Sequence, residues 1–463
     1  MAAEGEEAAA FKEAPGSSAF SPKKAQGIWP RRQEGCGSVR EEIREKINEG
    51  SVYMSASNYE AAAEAFARAT QEDPSCEEAY EHLGNALASL KRYDESLKAF
   101  KTALMLKPGD GSIYFSIGSV YFLKDEYREA VKYLNRAEEA GQRSVGLYLL
   151  RSGIYERNGD RIQAIREISR AIDLEPLRAD LYKRKTLLQV ENNNTDGALE
   201  TLEELREVLP DALAGYEMAV LVHCVRKEYE KADEIAEKGL RLFPKDPAMY
   251  LLKVQIVSQS GQYEQVEKWA KKLSGMELDP QARTQLTVYR AEAFGRQEKL
   301  EQMQDVLEEH NRKWKDPEVM YLLMMFYSGQ KEYGRLKGLA GQLKEMDVKD
   351  SFRAAAQFAY AEAVEHMDGK EAAEELYRKM TKDFRKLTIA NPTLYEVYIY
   401  RLLSHCAVGE YEKALELADY ISNAKPGLSD GHLYKAYVLE KAGRGQEAKE
   451  ERRKAQTAAP ARQ

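Results

Sequence analysis

Two histidine–cysteine pairs are the side chains in this 463-residue chain that most resemble ligands for a metal ion. They are His223-Cys224 and His405-Cys406. A zinc site needs about four such ligands within ~2.0–2.3 Å of the ion. The two pairs could form a metal site only if the fold brought them together. Whether they bind a metal therefore depends on the secondary-structure elements that carry them.

Two further segments have the spacing of known functional motifs. Gly443, Gly445 and Ala448 match the spacing of a dinucleotide-binding turn, and Asn193-Asn194-Thr195 matches a glycosylation acceptor. A dinucleotide-binding turn must follow a β-strand and open a helix. The sequence has no phosphate-cradling glycine loop and no convincing set of nucleophile, base and orienting acid. We therefore predict no catalytic activity, no cofactor and no metal.

The elements that carry these residues repeat along the chain. Prolines recur on a lattice of 34 residues, at Pro74, Pro108, Pro176, Pro210 and Pro244, and again at Pro392, Pro426 and Pro460. A chain in which prolines recur at a fixed interval is built from one small unit copied many times. Each copy then buries its apolar face against its neighbours.

Each copy is predicted to contain two helices. With the proline at position 32, copies begin at residues 43, 77, 111, 145, 179, 213 and 247, and again at 395 and 429. Apolar residues at positions 4, 7, 8 and 11, and then at 20, 24 and 27, follow the spacing of a helical stripe. Position 4 is usually tyrosine, position 8 is often small and position 20 is small, as in Tyr80, Gly84 and Ser96. Small residues let two helix axes approach closely.

This pattern resembles the tetratricopeptide repeat family, with tyrosine commonly standing where that family often has tryptophan at position 4. The resemblance covers roughly residues 41 to 463. It implies an all-α fold, a right-handed superhelical solenoid of about twelve helix-turn-helix repeats. The competing interpretation is another solenoid built from helical pairs.

The sequence divides into four regions. Residues 1–40, rich in Ala, Gly, Ser, Pro and Glu, are predicted to be a disordered tail, which is inert, is an overextended start or holds a docking motif around Trp29. Residues 41–280 are expected to hold about seven regular repeats, the last of them stretched to Pro280, and residues 281–394 about three irregular ones. Residues 395–463 hold two regular repeats, the second a cap.

The repeat framework gives plainer interpretations of the apparent motifs. Both histidine–cysteine pairs occupy positions 11 and 12 of copies that lie several repeats apart, so we expect them to pack in the core. Gly443 falls in the turn between two predicted helices, and Asn193 falls in another such turn. In the irregular region Met320, Met324 and Met325 either fill the core or form an adaptable binding face.

The family resemblance implies a concave groove lined by positions 2, 5, 9, 12 and 13 of successive first helices. In the second to fifth copies these positions form an apolar patch flanked by charge. Such a groove suits a peptide with apolar anchors. The predicted partner-binding residues are Asn85, Phe115, Ser119, Phe122, Leu149, Arg157 and Lys183. The alternative for Phe115 and Phe122 is that they pack against neighbouring first helices.

One subfamily grips the C-terminal carboxylate of chaperones through lysine, asparagine and arginine at fixed groove positions. This chain has Ile47 and Ser51, then His82, then Ser112 and Ser116 at those positions. We therefore predict that it lacks this carboxylate clamp.

Composition narrows the choice of partners. The chain has 69 basic and 77 acidic residues, a net charge of -8, which argues against nucleic acid as a partner. No stretch approaches the ~18 apolar residues needed to cross a membrane, and the acidic N-terminus lacks the features of a secretory signal. We expect a cytoplasmic, non-catalytic scaffold that binds a protein or peptide segment; the alternative is a peptide-sensing receptor that regulates another protein.

Overall fold

The protein is all-α. The structure, a computed structural model, describes residues 41–424 and 430–458, and no β-strand occurs in these two stretches. They contain twenty-four α-helices, α1 to α24 in chain order, which alternate as first and second helices of twelve pairs. The predicted succession of helix-turn-helix repeats is thereby confirmed. None of the described helices combines the length and apolar character needed to cross a bilayer.

The first helices of the pairs carry odd numbers. They are α1 Glu41–Ser55, α3 Glu77–Ser89, α5 Gly111–Leu123, α7 Val145–Arg157, α9 Ala179–Glu191, α11 Leu213–Val225, α13 Pro247–Gln259, α15 Pro280–Arg296, α17 Pro317–Gly329, α19 Asp350–Asp368, α21 Tyr395–Ala407 and α23 Asp430–Lys441. From α3 to α13 each begins 34 residues after the preceding one, as the proline lattice predicts.

The second helices carry even numbers. They are α2 Tyr59–Glu72, α4 Tyr93–Leu106, α6 Tyr127–Glu139, α8 Arg161–Leu174, α10 Thr195–Val208, α12 Tyr229–Leu242, α14 Tyr263–Ala270, α16 Leu300–Trp314, α18 Tyr333–Glu345, α20 Lys370–Ala390, α22 Tyr411–Ala424 and α24 Gly445–Ala458. A 3₁₀ turn, Lys271–Leu273, follows the short α14.

The turn between the two helices of a pair contains a residue in the left-handed backbone region. In α3–α4 this residue is Lys91, with φ of 60°, and in α23–α24 it is Gly443, with φ of 78°. The amides of Lys91 and Arg92 donate to the carbonyls of Ala88 and Leu87, both at 2.9 Å, which caps the end of α3. Gly443 therefore ends a helix and does not follow a strand, so a dinucleotide-binding turn has no structural basis there.

Within a pair, the two helices are held close by a small residue facing a bulky one. A Cβ added to Gly84 would lie 2.8 Å from the ring of Phe100, and one added to Gly118 would lie 2.9 Å from Leu134 Cγ. Such distances leave no room for a side chain. We call this contact between the first and second helix of each pair the seam.

Two compact units divide the described helices, with the division between Leu252 and Lys253. Unit 1 includes α1 to α12, and unit 2 includes α14 to α24. The four regions predicted from the sequence, with boundaries at residues 40, 280 and 394, remain predictions.

The irregular part of the chain differs from expectation at Pro280. Pro280 was expected to end a repeat, but it is the first residue of α15, where its missing amide donor costs nothing. Asp279 caps this helix by accepting a hydrogen bond from the Ala282 amide at 2.8 Å. Here the helices also lengthen, to 19 residues in α19 and 21 in α20.

Candidate functional site

The first helices line the inner side of unit 1. Helix α1 contacts α3, α3 contacts α5, α5 contacts α7 and α9 contacts α11, whereas no contact of similar extent joins successive second helices among the described residues. Helices that approach more closely on one side of a stack make that side concave. We call the groove positions of α3 to α11 the concave face of unit 1.

Phe115 and Phe122 lie on α5 and pack toward α7. Their side chains are almost fully covered, with 1% of Phe115 and 7% of Phe122 exposed. A Cβ added to Gly146 would lie 3.6 Å from the Phe115 ring, and one added to Gly153 would lie 3.9 Å from the Phe122 ring. The two rings therefore lie beside positions where the next first helix has no side chain. They cover Gly146 and Gly153 only in part, since both glycines stay half-buried, while the rings themselves offer a partner little surface in this conformation.

Arg157 closes the end of the same contact. Its guanidinium lies 5.5 Å from the centroid of the Phe122 ring, within the range of a cation–π interaction. Its Nη1 donates to the Tyr127 hydroxyl at 2.7 Å and lies 3.4 Å from Asp125 Oδ1. Arg157 and Asp125 are both exposed, so their ion pair adds little stability. Arg157 is therefore held on the rim of the face but stays accessible.

Asn85 and Ser119 are the two small polar residues of the predicted set, and both are buried. Ser119 donates to the Phe115 carbonyl at 2.9 Å, within its own helix. Asn85 Oδ1 accepts no hydrogen bond from any described residue. A buried carbonyl oxygen without a donor is unfavourable, so Asn85 has capacity to accept a donor from elsewhere.

Leu149 and Lys183 provide the accessible middle of the face. Leu149, on α7, is half-buried, and Lys183, on α9, is exposed. Burial raises the pKa of Glu217 on α11; the charge of Lys183 opposes this shift and that of Asp246 adds to it. Lys183 and Glu217 therefore lie near each other, and no ion pair between them is formed within the described residues.

The seven predicted residues lie on four first helices. Ser119 contacts Phe115 within α5, and Phe122 of α5 contacts Arg157 of α7, which also carries Leu149. Asn85 on α3 and Lys183 on α9 lie on the helices to either side. Their predicted role in binding a partner remains a prediction.

The histidine of each histidine–cysteine pair contacts a glutamate just before the second helix of its own repeat. His223 Nδ1 lies 2.8 Å from Glu228 Oε2, and His405 Nδ1 lies 2.7 Å from Glu410 Oε2. Hydrogen bonding from His223 lowers the pKa of Glu228 to about 2. No group of three or more possible metal-binding side chains occurs in the part of the chain that the structure describes. The histidines therefore fix turns between paired helices.

A buried ionic network in the seam was not found from the sequence. Arg151, on α7, contacts Glu167 on α8 and Glu138 on α6, each at 2.7 Å. Burial opposes ionisation of Glu138, but the hydrogen bond from Arg151 keeps the pKa of that carboxyl below its usual value. Position 7 is apolar in Leu83 and Ile117 but charged in Arg151, Lys185 and Lys253, so the charge alone does not single out Arg151 in the sequence.

Comparison with known families agrees with the repeat geometry. The tetratricopeptide repeat family model matches residues 47–113 and 92–145. This match covers the paired helices of the first repeats, and the same pairing continues to α24. Residues 47–145 of the chain are therefore tetratricopeptide repeats.

Several solved structures resemble the chain at low identity. YrrB, described as a tetratricopeptide repeat protein with an unusual peptide-binding site, is 22% identical over 41% of this chain and 98% of its own, with a TM-score of 0.33. The Naa15/Naa10 complex bound to HypK-THB is 13% identical over 91% of this chain and 64% of its own, with a TM-score of 0.40.

The C-terminal part of a tetratricopeptide repeat protein from Cytophaga hutchinsonii is 13% identical, covering 53% of this chain and 99% of its own, with a TM-score of 0.44. A search of curated proteins found no match. The family assignment therefore depends on the family model and the helix pairs, and the low TM-scores add nothing to it.

Proposed function

We propose that this protein is a non-catalytic scaffold that binds a segment of a partner protein along the concave face of unit 1. Repeat proteins of this family are suited to protein–protein interaction. The observation that carries the proposal is the pair of glycines on α7. Gly146 and Gly153 leave two groove positions without side chains, beside half-buried Leu149 and Leu187.

The surrounding side chains suit a peptide. An apolar anchor could pack over Gly153 and against Leu149 and Leu187, because apolar contact supplies most of the affinity at such anchors. Asn85 Oδ1 has no donor among the described residues, but it is buried, so a peptide amide would reach it only after the side chain turns outward. Lys183 and Arg157 border the apolar strip and would fix the register of acidic groups.

Filling the glycine strip tests the proposal without removing any existing contact. A Cβ at Gly153 would lie 3.7 Å from Arg184 Nη2 and 3.9 Å from Phe122, which is ordinary van der Waals contact. We expect Gly153→Leu to fold normally and to project its side chain into the proposed binding strip. Affinity capture from native lysate, followed by quantitative mass spectrometry, should show loss of a partner.

Gly338→Leu is the matched control. Gly338 lies on α18 with no atom within 4 Å of an added Cβ, so the same substitution there adds equal apolar surface outside the face. We expect at least one protein to be captured by the parent and by Gly338→Leu but reduced about tenfold with Gly153→Leu, a loss near 1.4 kcal/mol. Identical captured sets from all three proteins would refute binding on this face.

The alternative, a peptide-sensing receptor that controls another protein, makes a different prediction. Binding would then close the repeats around the peptide, and small-angle scattering would show a smaller radius of gyration. A scaffold would hold its partner with an unchanged radius. The predicted cytoplasmic location belongs to the same proposal and is tested by fractionation of cells that express the native protein.

A further inference from the structure

Position 9, at the middle of the concave face of unit 1, is covered more deeply on α3 and α5 than on α7 and α9. Asn85 and Ser119 are 7% and 6% exposed at this position, whereas Gly153 and Leu187 are half-buried. Two polar side chains are thus removed from water where a leucine of a later copy keeps more of its surface. Asn85 Oδ1 gains no hydrogen bond from a described residue in return.

The described helices provide no cover across this end of the face. Helix α3 makes extensive contacts with α1, α2, α4 and α5, and α5 makes them with α3, α4, α6 and α7. The second helices among these lie on the outer side, and the first helices lie side by side along the face. A segment that covers the groove of α3 and α5 would therefore have to come from outside these helices.

Residues 1–40 precede α1 and lie outside the described residues. Their sequence has two apolar residues, Ile28 and Trp29, between the basic pairs Lys23-Lys24 and Arg31-Arg32. Residues 23–40 contain five basic residues and one acidic residue, so this part of the chain is basic although the whole is acidic. A groove can bind an extended segment whose apolar residues act as anchors and whose charged residues fix its register.

The link between Trp29 and α1 is long enough for this segment to reach the face. Eleven residues, 30–40, separate Trp29 from the start of α1, and an extended chain of that length spans up to ~36–40 Å. Axes of packed helices are ~8–10 Å apart, so α7 lies about three such steps, ~24–30 Å, from α1. A short tether also holds the segment near the face at an effective concentration on the order of millimolar.

The nearest groove positions carry the opposite charge. Glu78 and Glu81, at positions 2 and 5 of α3, are half-buried. Successive first helices run in the same direction, so this end of α3 lies beside the start of α1, where the segment joins. Leu149 of α7 and Leu187 of α9 are half-buried further along the face. The face is thus acidic where the basic pair nearest α1 would arrive and apolar where the anchors would follow.

We propose that residues 23–32 of this chain dock across the concave face of unit 1 and compete there with a partner segment. The basic pair that follows Trp29 forms ion pairs with Glu78 and Glu81, and arginine–carboxylate pairs are frequently bidentate. Trp29 packs on the apolar strip at Leu149. This inference rests on the proposed function in one respect, that partner segments bind this face. It adds a regulation of the face: a partner binds only when the chain's own segment is displaced.

Protection from trypsin tests docking of the segment within the full chain. Trypsin cleaves after Arg31 and Arg32 when this part of the chain is released from the face. We expect Glu78→Arg together with Glu81→Arg to speed cleavage at least about fivefold, because loss of the ion pairs raises the released fraction. The two substitutions leave the sequence around the cleaved bonds unchanged. Mass spectrometry of samples taken over time measures the rate at both bonds.

Glu200→Arg together with Glu203→Arg is the matched control. These two glutamates have the same spacing as the pair on α3, but they are exposed on the second helix α10. The control changes the net charge equally, and its cleavage rate should stay at that of the parent. Circular dichroism and melting temperature check that both variants fold. Equal rates in the parent and the α3 variant would show that the segment is inert; equal acceleration by the control would also overturn the inference.

A peptide with the segment's own sequence tests the competition. The probe is fluorescein-labelled residues 20–35, which contain no cysteine, and fluorescence anisotropy measures its binding. The full-chain variant with Trp29→Ala, Arg31→Glu and Arg32→Glu should bind the probe at least about tenfold more tightly than the parent, because its own segment no longer occupies the face. A peptide with the same three substitutions should not bind. Equal binding of the probe by both proteins, or binding by neither, would refute docking within the chain.

The failure of the two proposals can be told apart. Gly153→Leu tests partner capture, whereas cleavage by trypsin depends on no partner. If capture depends on Gly153 while the α3 variant is cleaved at the rate of the parent, only the inference about the segment is wrong. If the segment docks but Gly153→Leu leaves the captured proteins unchanged, the face serves the chain's own segment and the proposed function is wrong.

Discussion

The seam and the concave face of unit 1 differ in how far their residues repeat. In the seam, Gly84 meets Phe100 and Gly118 meets Leu134 in the same geometry, one copy apart. On the face, groove position 5 holds phenylalanine in α5, leucine in α7 and lysine in α9. In every copy the two helices of the seam must pack at the same close distance, so the residue types there recur. Packing of the stack does not require the residue types on the face to recur.

This difference explains which substitutions the fold tolerates. The seam is close-packed, so a change of one methyl group is felt by the opposite helix. The face has open positions such as Gly153, where an added Cβ meets only ordinary contacts. Changes in the seam should therefore alter stability, and changes on the face should alter binding.

The largest expected effect is at Arg151, where the seam contains charge. The side chains of Arg151 and Glu167 are 4% and 6% exposed. Arg151→Met would leave the Glu167 carboxylate buried with only Arg170 nearby, 3.5 Å away. We expect a loss of about 3 kcal/mol in the free energy of unfolding, since removing one partner of a buried pair typically costs about 3–5 kcal/mol. Urea denaturation measures it.

The double variant Arg151→Met with Glu167→Met is the control. Replacing both partners by apolar groups removes the uncompensated charge, and such replacements are often neutral or stabilising. We expect it to recover most of the loss. If the double variant is as unstable as the single one, the stability of this repeat depends on the ion pair itself. The seam of this repeat would then be stabilised by charge, unlike the apolar seams of other copies.

The seam was largely predictable from the sequence. The positions of Tyr80, Gly84 and Ser96 recur in register, and the helix boundaries from α3 to α13 follow the predicted period. Arg151 was missed because a stripe of apolar positions was assumed to hold in every copy. The place of Pro280 in its repeat was misread because proline can end one repeat or begin the next helix, and only the cap from Asp279 distinguishes the two.

The face was predictable in position but not in conformation. Helical spacing places Phe115 and Phe122 on one side of α5, and in the structure this side packs toward α7. Whether their rings project or lie flat depends on the next copy, and Gly146 and Gly153 provide the space that they cover. A hydrogen bond between tyrosine hydroxyls of α17 and α21 could not be predicted at all, because it joins helices two copies apart in an irregular region.

The next largest effects come from a matched pair of glycine substitutions, which should change the free energy of unfolding in opposite directions. An added methyl at Gly118 would lie 2.9 Å from Leu134 Cγ and 3.2 Å from the Ala130 carbonyl oxygen. Overpacking of this kind costs about 1–3 kcal/mol. Gly153→Ala meets no such contact and should stabilise its helix by about 0.5–1 kcal/mol. Thermal unfolding of the two variants measures both changes.

Opposite signs would establish that the seam and the face impose different limits on the same residue type in helix interiors. Gly338→Ala is a useful reference, because no atom lies within 4 Å of an added Cβ in the interior of α18. If Gly118→Ala is as stable as Gly153→Ala, the seam can relax by several tenths of an ångström, and the distinction between the two regions fails.

The smallest predicted effect concerns two tyrosines at position 4, both buried. The Tyr216 hydroxyl donates to the Pro210 carbonyl at 3.2 Å, whereas the Tyr182 hydroxyl is buried with no partner among the described residues. Tyr216→Phe should therefore lower the free energy of unfolding by about 0.5–1.5 kcal/mol. Tyr182→Phe removes a hydroxyl that has lost water without gaining a bond, so it should leave stability unchanged or raise it. Urea denaturation midpoints of the two variants compare these changes. A clear loss of stability for Tyr182→Phe would mean that its hydroxyl forms a hydrogen bond in solution, and that the polar contact at position 4 repeats between copies.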